Sequence, residues 1–110
     1  MEETTLSCSV TVARGNIYFS REIYDAYFSG ASAVALVERE HRLFVVPLII
    51  PSSGGLLLKV RNTRGDRVLH AQEFFRGHGY GEDFEKRVYP VELNVELAAL
   101  EIIGIPRLTV

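Results

Sequence analysis

Apolar and polar residues alternate over residues 6–12, with Leu6, Cys8, Val10 and Val12 on one side and Ser7, Ser9 and Thr11 on the other. A period of two marks a half-buried strand. Gly15-Asn16 interrupts the run, and Ile17-Tyr18-Phe19 resumes it as a second extended segment. Ser20 is placed to cap a short helix. Glu22 sits in its first turn, Ile23/Tyr27 and Tyr24/Phe28 recur at four-residue spacing, and Ser29-Gly30 ends it. Two apolar runs follow, 33–37 and 43–50, around a charged turn at 38–42, so they are expected to pair as a hairpin. Pro47 inside the second run points to an edge or a bulge.

Pro51-Ser52-Ser53-Gly54-Gly55 is the clearest linker in the chain. Beyond it the same order returns: a strand at 56–60, a polar turn at 61–66, a short strand at 67–69, and one or two helical turns at 71–76 closed by Gly77-His78-Gly79. Strands at 87–93 and 97–103, joined near Asn94, complete the chain. Ile23, Tyr27, Leu43, Val45, Leu57, Leu69, Phe74, Val91 and Leu100 are the expected core.

Placing Gly15 over Gly65 aligns Arg14 with Arg64, Val10 with Val60, Tyr18-Phe19 with Val68-Leu69, and Tyr24 with Phe74. Each half then consists of strand, Arg-Gly turn, short strand, short helix and hairpin. The half-repeats span about 6–50 and 56–105, and the second hairpin is delayed by the insertion at 80–86. One such unit is too small to close a core, whereas two related by a pseudo-twofold axis can interleave into a barrel without free edges. The expected fold class is therefore mainly β with short helices (α+β): one domain, 1–110, forming a small barrel of two pseudo-symmetric strand–helix–hairpin halves.

The segment from Val12 through Arg14-Gly15-Asn16-Ile17-Tyr18-Phe19-Ser20 to Ile23 resembles the signature of AbrB/MraZ-type transcription regulators. In that signature a basic residue and a glycine precede a short strand, and a helix then opens at a proline-containing step. Arg64-Gly65-Asp66-Arg67 resembles a second copy, and MraZ proteins carry two such units in one chain. The match departs from the pattern at Ser20 and His70, which stand at or near the usual proline. Asn16 and Asp66 likewise replace the usual arginine after the glycine, and Asn62 stands where an acid is preferred. The resemblance implies a small barrel of two such units and a DNA-binding role.

Composition bounds the remaining choices. The 110 residues are 47% hydrophobic and 24% charged, which suits a single globular domain. A core of this size makes dimerisation an expected way to bury more apolar surface, so a homo-oligomer is anticipated. The single cysteine, Cys8, allows neither an intramolecular disulfide nor a thiolate cluster. The acidic, polar start Met1-Glu2-Glu3-Thr4-Thr5 is unlike a signal peptide, and no apolar run approaches a membrane span, so a cytoplasmic protein is expected.

No phosphate-binding glycine loop is present. Gly77-His78-Gly79-Tyr80-Gly81 is followed by Glu82 and Asp83, which would oppose phosphate. His41, His70 and His78 have no metal-ligand spacing, no cofactor motif occurs, and no catalytic constellation is recognisable. The net charge of −2 argues against coating nucleic acid by bulk charge. It leaves room for a local basic face. Lys59, Arg61, Arg64 and Arg67 fall together with only Asp66 among them, and on a strand Lys59 and Arg61 share a side. With Arg14 they form the candidate nucleic-acid contacts, able to meet phosphates or guanine edges. Two function classes follow: a small DNA-binding regulator, or a non-catalytic protein-interaction module with the same barrel. In the first, Arg14 and Arg64 are expected to converge on one face.

Overall fold

In a computed structural model, which describes residues 8–48, 55–80 and 85–105, the chain forms eight strands and two short helices. The expected linker lies, except for Gly55, outside the described residues, as do Glu82 and Asp83. The first half holds β1 (Ser9–Ala13), β2 (Asn16–Phe19), α1 (Arg21–Tyr27), β3 (Ala33–Arg39) and β4 (Arg42–Leu48). The second holds β5 (Leu56–Val60), β6 (Arg67–His70), α2 (Gln72–Gly77), β7 (Arg87–Asn94) and β8 (Ala99–Ile102).

The strands close into a barrel in the order β1-β2-β6-β5-β3-β4-β8-β7, with every neighbouring pair antiparallel. Closure removes the unpaired edges that a single half would expose. Exchanging β1 with β5, β2 with β6, β3 with β7 and β4 with β8 returns the same ring. The pseudo-twofold axis therefore passes between β2 and β6 on one side and between β4 and β8 on the other, where equivalent strands pair with each other.

The halves differ in their turns. Ala13 pairs with Asn16 around Arg14-Gly15, and Arg39 pairs with Arg42 around Glu40-His41. All four turn residues have positive φ (54°, 81°, 54° and 64°), as a two-residue turn matched to strand twist requires. In the second half the Arg61 N–H donates to the Asp66 carbonyl, which leaves a four-residue loop, and Asn94 pairs with Ala99 around another of four. Each second-half hairpin thus carries two more loop residues. This corrects the alignment of β1 with β5: Leu58, buried against Leu69, takes the place of Val10, while Val60 is 62% exposed at the barrel end.

Inward positions alternate along every strand. Val10, Val12, Ile17, Phe19, Leu43, Val45, Leu69, Val91, Leu100 and Ile102 meet in one buried cluster. Of the expected core, Ile23, Leu43, Val45, Leu69, Val91 and Leu100 are buried. Leu57 is not: Leu58 pairs inward with Leu69, so its neighbour faces out and is 58% exposed. Phe74 and Tyr27 are only half-buried, and Phe75 fills the place assigned to Phe74. Pro47 pairs with Val34 on one side, and the β4–β8 ladder stops at Val45, so its missing N–H breaks no ladder on the other.

Candidate nucleic-acid interface

The outward residues of β7, β1, β2, β6 and β5 form a continuous face. Its middle row is fixed by register: Val88 pairs with Thr11, Thr11 with Tyr18, Tyr18 with Val68, and Val68 with Lys59. Continuing the same ladders places Lys86, Ala13, Asn16, His70 and Leu57 in the row above, and Pro90, Ser9, Ser20, Asp66 and Arg61 below. Lys59, Arg61 and Lys86 are all exposed on this face, and Asp66 is the one described carboxylate in these three rows; Glu92 follows Pro90 on the outward side of β7, and Glu22 of α1 borders the face.

Tyr18 is at the centre. The Arg61 guanidinium carbon lies 4.7 Å from the Tyr18 ring centroid, within cation–π range. To reach Tyr18 on β2 from β5, Arg61 crosses β6 above Val68, and this outward-facing valine is accordingly only 8% exposed. Asn16 Nδ2 lies 3.5 Å from the Tyr18 hydroxyl, and His70 Nδ1 lies 3.2 Å from Asn16 Oδ1. Thr11, Tyr18 and Arg61 line two adjoining concavities. One of about 300 Å³ continues to Ala13 and Lys86; the other, of about 520 Å³, runs under α1 to Glu22, Ile23 and Tyr27.

The sequence-predicted cations divide into three groups. Lys59 and Arg61 lie on the face, as their two-residue spacing requires. Arg14 lies in the β1–β2 turn, beside the row that holds Lys86. Arg64 and Arg67 serve the β5–β6 loop instead. The Arg64 guanidinium holds Asp66 at 3.0 Å, while Arg67 stacks 3.8 Å from the Tyr24 ring centroid and donates to the Gly65 carbonyl. Arg14 and Arg64 do not converge. Asn16 pairs with His70 and Phe19 with Arg67, so the two Arg-Gly turns lie at opposite ends of the β2–β6 pair.

Asp66 has a structural task. Its carboxylate accepts from Asn62 Nδ2 (2.9 Å), from the Arg21 N–H (2.9 Å) and from Arg64, and these donors lower its pKa to about 2, with Asn62 the largest cause. Its charge is therefore met within the loop. Glu101 faces outward on the other side of the barrel, where a bidentate pair with Arg42 (2.8 and 2.9 Å) lowers its pKa. Among the described residues, none of Lys59, Arg61, Arg64 and Arg67 pairs with Glu92, Glu96 or Glu101.

No family model, curated protein or solved structure matches the chain. Among the described residues, no helix is long and apolar enough to cross a membrane.

Lys86 and Tyr18, with Thr11, Asn16 and His70, are members that sequence reasoning did not place in the site. Tyr18 lay in an unbroken apolar run, where a core role was equally legible. Lys86 reaches the face only through the pairing of Val12 with Arg87, which is invisible to local pattern.

Proposed function

We propose that this barrel is a small, non-catalytic DNA-binding module whose contact surface is the outward face of β7-β1-β2-β6-β5. The observation that carries the reading is charge segregation in a chain of net charge −2. Three exposed cations, Lys59, Arg61 and Lys86, share a face whose three central rows hold one described carboxylate, Asp66, already engaged by Arg64 and Asn62. Glu101 projects from β8, outside that face, and Glu92 stands opposite it at the β8 margin, one outward position beyond Pro90 on β7. Phosphates brought to the face would meet cations at both margins and neutral hydrogen-bonding groups, Thr11, Asn16 and His70, between them. The duplicated barrel supports a role of AbrB/MraZ type; the two Arg-Gly turns do not, since they lie at opposite ends of the β2–β6 pair.

A fluorescence-anisotropy titration of labelled DNA at low salt tests this. Saturable binding at micromolar protein is expected; no binding at that concentration overturns it.

A second reading rests on Val88 and Leu57, which are 60% and 58% exposed at two margins of the same face. These side chains favour an apolar protein partner, including a second copy of the chain.

A further inference from the structure

We infer that the DNA this face selects is single-stranded, with an unpaired base stacking on the Tyr18–Arg61 pair. This rests on the proposed DNA-binding role and adds to it. The major groove of a duplex admits a helix or a two-stranded ribbon, whereas every strand of this face is paired on both sides within the closed barrel. Neither helix is free to enter a groove. α1 has seven residues, and its first turn is tied down by Ser20 Oγ, which accepts from Ile23, and by Asp66, which accepts from Arg21. α2 has six residues, and its start is fixed to the β1–β2 turn through Ala71 N–H to the Gly15 carbonyl (3.0 Å) and Gln72 Nε2 to the Arg14 carbonyl (3.3 Å).

What the barrel offers instead is a strand face with an aromatic ring near its centre. Unpaired bases bind such faces by stacking, on aromatic rings or on guanidinium planes, while cations follow the backbone. Arg61 already lies against Tyr18, so an incoming base can stack on the guanidinium, with the Tyr18 ring backing it. The concavity of about 300 Å³ lined by Thr11, Ala13, Tyr18, Arg61 and Lys86 gives one nucleotide a seat, with Lys86 at its rim for phosphate. Asn16 and His70, in the row above Tyr18, present amide and imidazole groups at the height of a base edge.

The test compares three labelled probes by anisotropy on the intact protein: oligodeoxythymidylate, an abasic deoxyribose-phosphate oligomer of the same length, and a duplex of that length. The single strand is expected to bind about 5- to 150-fold more tightly than the abasic oligomer, the gain that one stacked base gives. It is also expected to bind more tightly than the duplex. Arg61→Lys keeps the charge but removes the planar stack, and is expected to lose most of that gain while the salt dependence stays unchanged. Tyr18→Leu is expected to lose it too, and Tyr18→Phe to retain it. Equal affinity for the single strand and its abasic counterpart, duplex affinity equal to or above that of the single strand, or an undiminished gain in Arg61→Lys, overturns the inference and leaves the basic-face reading standing. Failure of all three probes to bind overturns both.

Discussion

The Asp66 carboxylate accepts a hydrogen bond from the backbone N–H of Arg21 at 2.9 Å, so a loop in the second half closes the helix of the first. The reciprocal contact is made by the Gly15 carbonyl, which accepts from Ala71 at the start of α2. Each Arg-Gly turn thus holds the helix of the other half. These cross-contacts tie the halves together independently of the barrel core.

The Asp66 contact makes stability pH-dependent. Its folded pKa of about 2 lies below the ordinary 3.8, so the folded state binds the proton less readily than the unfolded chain. This contribution is fully present above about pH 4 and is lost as the pH falls towards 2. Glu101 adds in the same direction. Asp66→Asn is expected to flatten the denaturation midpoint across that window, and urea titrations at several pH values will read it. An unchanged acid profile would mean that Asp66 is not bonded this way.

Gly15 and Gly30 separate contact from backbone strain. Both have positive φ, 81° and 87°, so alanine is strained at either. A Cβ on Gly15 would stand 2.9 Å from the Gln72 Cα, whereas one on Gly30 meets nothing within 4 Å. Gly30→Ala is expected to cost about 1 kcal/mol and Gly15→Ala to cost more, because the β1–β2 turn must also move off α2. Equal losses of stability would remove the cross-contact from the account.

The core assignments are testable in pairs. Leu43→Ala and Phe75→Ala are expected to cost about 2–5 kcal/mol, since both side chains are fully enclosed. Leu57→Ala, on the outside, is expected to change stability by no more than about 0.5 kcal/mol. Chemical denaturation of the three variants checks the inward phase of β5.

Much of this fold was legible because its signals are local. Ser20 before Glu22 and the apolar helix positions announced a cap, and Ser20 Oγ does accept from Ile23 at 3.1 Å. The repeat foretold a barrel of paired halves. What failed was phase. Leu56-Leu57-Leu58 is uniformly apolar, and the signal that sets its phase is Lys59, which shares Leu57's side of the strand; Phe74-Phe75 cannot both point inward from one short helix. The pairing of Leu58 with Leu69 agrees with the first. The site was half legible: the spacing of Lys59 and Arg61 placed them on one face, but Asp66's engagement of Arg64 depends on the conformation of the β5–β6 loop, and the neighbours of Tyr18 on contacts far apart in sequence.

In the proposed function Lys59, Arg61 and Lys86, and not Arg64 or Arg67, form the anion-binding face. The most direct test is the salt dependence of DNA affinity in the wild type and in single alanine variants. Each phosphate neutralised contributes about −0.9 to the slope of log affinity against log salt on duplex DNA, and about −0.7 on a single strand. Lys59→Ala and Lys86→Ala are each expected to make the slope shallower by about one contact, while Arg64→Ala leaves it unchanged. A slope that falls with Arg64→Ala and is unmoved by Lys59→Ala and Lys86→Ala would contradict the account.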